Sequence, residues 1–468
     1  MEYTSTRNKN EHLSFREALL AGLSPNGGLY VPTAWPNLTA EKSLLSGLHY
    51  SQLAARLMKP FIGDDIEDSA LRTITNSAYK DFCSDGSDEI APMVEIAPSL
   101  WLLELFHGPT LSFKDFALQV VSRMFDHVLS QKGEHITVIG ATSGDTGSAA
   151  IEACKNRENI DLFMLHPVGR VSEVQRKQMT CVEADNIHNV AIEGTFDDCQ
   201  RLVKAMFEEA TFRSDLSLAA VNSINWARIM AQMVYYQAAS MKFSNDIPIF
   251  SVPTGNFGNI YAGYSAKRAG LDVKNLLVAT NQNDILHRTF TTGVYQREPV
   301  KTGISPSMDI QVASNFERYL FELCDRNDVL LSRHMSELER QGKFTIDTNR
   351  LKEAKKVFSS ASISEQETLL EMERVFGETG FLIDPHTAVG TAAARKLDSM
   401  ENRPVVCLAT ADPSKFRASV EKATGQQPTI PDRLLSILAM EEHYDILECD
   451  LSKIQTYIRR HSRRLSNQ

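Results

Sequence analysis

Twice in this chain an apolar run breaks into a short loop of glycine and hydroxyl residues and then resumes at helical spacing. His135 to Ala141 leads through Thr142-Ser143-Gly144-Asp145-Thr146-Gly147 into a helical pattern over 147–156. Ile247 to Val252 leads through Pro253-Thr254-Gly255-Asn256-Phe257-Gly258 into another, from Asn259 to Arg268, which Gly270 closes. Strand, tight loop and helix form the unit of parallel sheets, because a parallel neighbour is reached only by a crossover packed on the sheet face. Trp101 to Leu105, 161–166 and Val405 to Thr410 read as further strands, and Phe116 to Leu129 as a helix with Phe116, Val120, Val121, Met124 and Val128 on its apolar side. The predicted fold class is α/β, with parallel sheets covered by helices on both faces.

Residues 1–95 read as a smaller N-terminal domain. Ser14 stands three residues before Glu17, the spacing of a capping box, and Ser24-Pro25-Asn26-Gly27-Gly28 is a turn. Ser84-Asp85-Gly86-Ser87-Asp88 and Pro92 mark a boundary. The α/β region spans 96–425, with a small lobe at roughly 115–220. The polar segment 330–375 is predicted helical, with Ser362 and Ser364 as available caps. Residues 426–468 are predicted to be a helical extension, its basic stretch Arg459, Arg460, Arg463 and Arg464 a solvated helix end.

A net charge of -10 over 468 residues argues against a nucleic-acid surface. No apolar run reaches the ~18 residues of a membrane span, and no basic-then-apolar leader is visible, so a cytoplasmic location is expected. Seven scattered cysteines without a CxxC pair indicate reduced thiols, and no Cys/His cluster has metal-ligand spacing.

Lys114 lies in His107-Gly108-Pro109-Thr110-Leu111-Ser112-Phe113-Lys114-Asp115-Phe116, at a helix opening between two phenylalanines. Desolvation there would disfavour the ammonium and leave a nucleophilic amine. Taken alone, the segment favours a lysine whose head reaches solvent over a phenylalanine core. The two glycine loops are anion cradles, with free N–H groups and the positive end of a helix dipole; neither has the GxGxxG or GK[ST] pattern of a nucleotide loop. Gly255 and Gly258 are expected at positive φ, with Phe257 as a shield against water. A reactive lysine and two anion sites match pyridoxal 5′-phosphate (PLP), which has an aldehyde and a phosphate, together with an amino-acid carboxylate.

Several strings then fall in one order. They are Glu104 to Thr110, Phe113-Lys114-Asp115-Phe116, Ala141 to Gly147, Asn222-Ser223-Ile224-Asn225, Pro253 to Gly258, Ala279-Thr280-Asn281, Ser307-Met308-Asp309-Ile310 and Ala409 to Phe416. From the Asn26-Gly27-Gly28-Leu29 turn to about residue 425, the chain resembles the threonine synthase family, in its longer branch with an N-terminal domain. The resemblance implies a PLP enzyme of fold type II, with two α/β lobes flanking the cofactor. It makes Lys114 the Schiff-base lysine and the Cα base. Gly255, Asn256, Phe257, Gly258 and Asn259 become the phosphate loop, where the family often carries Asp at the last position. Thr410 becomes the hydroxyl facing the pyridine nitrogen, and Ser143, Gly144, Asp145 and Thr146 the loop for the substrate carboxylate.

The implied reaction turns O-phospho-L-homoserine and water into L-threonine and phosphate, by γ-elimination and then addition of water at Cβ. Candidates for the substrate phosphate are Arg228 with Ser223 and Asn225, and also Arg170, Arg176 and Lys177. Arginine offers a planar fork matched to phosphate oxygens. His107 is read either as ordering the lysine turn or as a satisfied structural histidine, and His386 as structural. The alternatives are a lyase releasing 2-oxobutyrate from the same substrate, or a non-catalytic ligand-binding relative. The expected partners are the small-molecule substrate and, at most, a second copy of the chain.

Overall fold

The computed structural model describes residues 1–82, 89–142, 144–219, 223–243, 246–397 and 403–466. The boundary loop read at 84–88, Asn222 and Ser143 lie outside these described residues. The strand–loop–helix units assemble into two sheets. The larger has six strands in the order Phe358–Ser362, Asn275–Thr280, Ile249–Pro253, Val405–Ala409, Leu100–Glu104, Met93–Ala97. Every neighbouring pair is parallel except the last. The smaller has five parallel strands, Asp445–Glu448, Ile187–Glu193, Ile160–Pro167, Ile136–Ala141 and Leu218–Ala219. Ile249–Pro253 and Ile160–Pro167 are buried along their whole length, as parallel strands covered on both faces must be.

The chain therefore is an α/β protein of two parallel-sheet lobes. The loops singled out in the sequence leave the C-terminal ends of Ile136–Ala141, Ile249–Pro253 and Val405–Ala409, the end at which such sheets bind ligands.

The N-terminal unit pairs Asn8–Ser14, Glu2–Ser5 and Tyr30–Pro32 antiparallel and adds helices Phe15–Ala21, Tyr50–Ile62 and Asp68–Tyr79. The Ser14/Glu17 capping box forms, with Glu17 N donating to Ser14 Oγ at 3.2 Å and Ser14 N to Glu17 Oε2 at 2.8 Å. Among the described residues this unit has no core of its own: Tyr3, Phe15, Leu53 and Phe61 join one cluster with Phe116 of helix Lys114–Lys132 and Trp226 of helix Trp226–Ser240. The rings of Tyr50, Tyr79 and Phe82 meet Phe116 at 4.9–6.1 Å, and the Tyr79 hydroxyl donates to the Phe116 carbonyl at 3.0 Å. Two residues from Lys114, the N-terminal unit thus fixes the start of its helix.

Two segments differ from expectation. The stretch 330–375 is not all helix: Phe358–Ser362 is the edge strand of the larger sheet, and Lys343–Thr345 pairs antiparallel with Val294–Gln296. Ser364, not Ser362, caps the following helix, in a second capping box with Glu367. Beyond 425 the chain contributes the strand Asp445–Glu448 as well as helices, and the basic stretch is only in part a solvated end, with Arg460 exposed and its neighbours engaged. Asp161 is fully buried and needs a cation, which Arg463 supplies through Nε at 2.6 Å, while Arg463 Nη2 donates to the carbonyls of Arg157 and Ile160. Arg459 pairs with Asp215 at 2.8 Å, and Arg464 donates to the carbonyls of Asp215 and His135.

Candidate active site

Lys114 opens its helix, and the preceding turn is locked on both sides. Thr110 donates through N and Oγ1 to the Asp115 carboxylate, each at 2.8 Å. A Cβ at Gly108 would sit 2.6 Å from Asp115, so only glycine fits there. Phe113 N donates to the Thr410 carbonyl at 2.9 Å and Asp412 N to the Leu111 carbonyl at 3.1 Å, which zips the lysine turn to the end of the central strand. His107 pairs with Glu104 at 2.7 Å at the mouth of this turn.

The Lys114 head does not reach solvent. The residue is 8% exposed, with Nζ 3.3 Å from Asp145 Oδ2 and 4.9 Å from the Phe113 ring centroid. Burial lowers its pKa, and the positive charges of Lys415 and Arg228 add to that, against the opposing pull of Asp145. This is the setting of a nucleophilic amine.

Thr142 Oγ1 shapes the first glycine loop by accepting from Gly144 N at 3.0 Å and Gly147 N at 2.9 Å. Asp145 then begins helix Asp145–Cys154 with its carboxylate turned inward. Oδ1 takes Lys415 Nζ at 2.7 Å and Gln175 Nε2 at 2.8 Å, while Oδ2 faces Lys114. Burial alone would raise the Asp145 carboxyl, but the Lys415 and Lys114 ammoniums outweigh it and hold the group far below the usual carboxylate range. An ionised Asp145 side chain repels a second carboxylate. Hence this loop can offer a substrate carboxylate its helix-start N–H groups and the half-buried Thr146, but not Asp145 itself.

The second loop works differently from expectation. Neither Gly255 nor Gly258 has positive φ; the left-handed residue is Phe257, at φ 63°. Gly255 is required by close approach, because a Cβ there would lie 2.6 Å from the Ser307 carbonyl oxygen. Phe257 is no shield either: its ring packs inward against Phe290, Phe316, Tyr319 and Phe358 at 5.2–6.4 Å, and this core contact holds the unusual φ. Helix Gly258–Arg268 then starts with its free N–H groups at the loop. Asn259 is the informative side chain. Its Oδ1 accepts from the Tyr235 and Tyr236 hydroxyls at 2.6 and 3.1 Å, which orients the amide and leaves Nδ2 buried with no acceptor.

Arg228 is buried on helix Trp226–Ser240. No carboxylate faces it among the described residues, Nη1 has no acceptor, and burial pushes its pKa down to about 10. Of the other phosphate candidates, Asn225, Arg176 and Lys177 are engaged elsewhere. Asn225 caps that helix by accepting from Ala227 N at 3.0 Å, and its Nδ2 donates to the Leu19 carbonyl at 2.8 Å. The Ser223 carbonyl accepts from Asn315. Arg176 pairs with Glu442 at 2.8 Å, Lys177 donates to the Leu438 carbonyl at 2.5 Å, and Arg170 is exposed.

Sequence reasoning overlooked Lys415 and Gln175, and it left His386 outside the site. His386 is held by Asp384 at 2.8 Å through Nδ1 and accepts from Ser307 N at 3.3 Å, which ties it to the residue that abuts Gly255. The available signals were the Asp412-Pro413 and Asp384-Pro385 helix starts, which place Lys415 and His386 just beyond strand ends and caps.

Together these groups could hold PLP: Lys114 for its aldehyde, Asn259 Nδ2 and the helix start for its phosphate, and Thr410 for its ring nitrogen. Three family models match the chain, described as threonine synthase N terminus over residues 2–79, pyridoxal-phosphate dependent enzyme over 88–411, and threonine synthase, C-terminal over 387–458. A threonine synthase of Pseudomonas aeruginosa is 47% identical over 99% of both chains. The crystal structure of PLP-bound threonine synthase from Brucella melitensis superposes with a TM-score of 0.95 at 46% identity, covering 99% of this chain and 100% of that one. The yeast threonine synthase structure gives 0.93 at 35% identity, over 100% and 99% of the two chains.

Proposed function

Because this chain belongs to the threonine synthase family of PLP-dependent lyases, we propose that it converts O-phospho-L-homoserine and water to L-threonine and phosphate. The observation that carries the choice of substrate is Arg228. A buried guanidinium without a facing carboxylate is costly unless a ligand brings the anion, and the phosphate of this substrate is such an anion.

PLP, when bound, supplies an electron sink for carbanions at Cα and beyond. The rest falls to side chains. Lys114 Nζ, kept from its usual ionisation by burial, takes the proton from Cα. The Asp145 and Thr146 N–H groups at the helix start hold the substrate carboxylate, and Arg228 holds the leaving phosphate. The Thr410 hydroxyl would meet the ring nitrogen without a formal charge, which would favour elimination and replacement over transamination. Burial of Lys114, Asp145 and Arg228 keeps bulk water from competing with the one water that adds. The substrate is a small molecule, and no helix among the described residues is long and apolar enough to cross a membrane. A cytoplasmic location accords with this.

The test is to incubate the PLP-loaded protein with phosphohomoserine and separate the products. Threonine with equimolar phosphate is expected; 2-oxobutyrate as the main product would replace this reading with the lyase. Lys114→Ala should remove the visible absorbance of lysine-bound cofactor together with turnover.

A further inference from the structure

Lys114 and Lys415 share one carboxylate. Asp145 Oδ2 faces Lys114 Nζ at 3.3 Å and Oδ1 holds Lys415 Nζ at 2.7 Å. The Lys415 side chain is fully buried, and Nζ also donates to the Thr110 carbonyl at 2.8 Å, in the very turn that carries Lys114. Gln175 Nε2 adds a third donor to Asp145, at 2.8 Å. The reaction proposed above gives Lys415 nothing to do, yet a fully buried ammonium is expensive to keep.

We propose that Asp145 and Lys415 form a dock for the Lys114 amine: Asp145 receives Nζ each time substrate displaces it from the cofactor, and Lys415 keeps that carboxylate ionised and in place in both positions of Lys114. The need for two partners follows from the cycle. When Lys114 is bonded to the cofactor, Asp145 would be a buried carboxylate with a weakened partner, and without Lys415 it would protonate or turn away. With Lys415 in place it stays an anion, ready to orient the returning amine. Both are positioning residues for Lys114. The dock rests on the PLP reading, but its electrostatics do not.

The titratable groups facing Lys114 are Asp145 and Lys415, with Arg228 from helix Trp226–Ser240; His386, from helix Pro385–Arg395, faces Asp145 in turn. Removing the charges of the pair has opposite consequences. Asp145→Asn deletes the anion that favours a protonated Lys114, so the Lys114 pKa falls. Lys415→Met deletes a cation that disfavours it and leaves Asp145 uncompensated, so the pKa rises. Each shift should be on the order of one pH unit.

Two measurements on the full chain read this. Without cofactor, the pH dependence of Lys114 acetylation by acetic anhydride, quantified on the Lys114 peptide by mass spectrometry, gives the amine pKa. With cofactor, the rate at which the lysine-bound visible band returns after a single turnover gives the recapture step. In the cofactor-free titration the proposal expects opposite shifts in the two variants and near-wild-type behaviour in Lys415→Arg, and with cofactor it expects at least tenfold slower band recovery in Asp145→Asn. Shifts of the same sign, or no shift in either variant, would overturn it and leave the pair a packing feature. Asp145→Asn is close to isosteric and decides the matter should Lys415→Met not fold. If the visible band never forms in the wild type, the PLP reading fails, while the acetylation titration still tests the dock.

Discussion

At Arg228 stability and binding make opposite demands. A buried guanidinium with an unpaired Nη1 is a strain on the free protein and an asset once an anion arrives. Arg228→Met should therefore leave the unfolding midpoint in urea unchanged or raise it, while kcat/KM for the phosphorylated substrate falls on the order of 100-fold. A fall in both would mean that the arginine serves packing. Asp115 makes a second residue-scale case. Burial pushes its carboxyl up to about 6 although Thr110 donates to it twice. The folded protein thus binds this proton more tightly than the unfolded chain, whose Asp titrates near ~3.9. Between those two values stability falls as pH rises, and above the upper one the loss, on the order of 3 kcal/mol, is complete. Urea unfolding of wild type and Asp115→Asn from pH 4 to 7 should show the decline in the wild type and a flatter profile in the variant. Parallel profiles would assign the pH dependence to other groups.

Among elements, helix Trp226–Ser240 shows how a polar residue near the site can belong to the scaffold. Asn225 joins the helix cap to the Leu19 carbonyl of helix Phe15–Ala21, so it couples the N-terminal unit to the helix that carries Arg228. Asn225→Ala should cost about 2 kcal/mol in denaturant unfolding with KM little changed. A tenfold rise in KM at constant stability would return Asn225 to the substrate. Strands that end in glycine loops were legible in the sequence because an apolar run and a turn residue mark both boundaries. Phe358–Ser362 was not, since an edge strand buried only at Phe358 and Ala361 writes serines where a central strand writes valines. Nor was the charge around Lys114 fully legible. Asp145 and Lys415 meet only because the lobes fold together, and no local spacing records which loop carboxylate a distant lysine will neutralise. Gly255 was singled out for the right loop and the wrong reason, because the Ser307 carbonyl that excludes a side chain comes from a remote segment.

The whole molecule is held by its last described segment as much as by its cores. Arg433 donates to the carbonyls of Gly108 and Asp81 at 2.8 Å, linking the lysine turn to the N-terminal unit, and Arg176 and Lys177 tie the small lobe to Glu442 and Leu438. Arg463→Ala should destabilise the small lobe by about 3 kcal/mol, because the buried Asp161 would lose its guanidinium and keep only the His135 ring, the Ser462 hydroxyl and the backbone N–H of residue 463. Hydrogen exchange should then rise in Ile136–Ala141 and Ile160–Pro167 and stay unchanged in Asn275–Thr280; a uniform rise would mean that the lobes unfold as one unit. The strand order has a further consequence, for synthesis on the ribosome. Val405–Ala409 sits between Ile249–Pro253 and Leu100–Glu104, and Asp445–Glu448 covers the outer edge of Ile187–Glu193. Neither sheet can be completed until most of the chain has been translated, so the nascent polypeptide carries open strand edges for most of its elongation. Refolding yield should accordingly drop steeply with protein concentration.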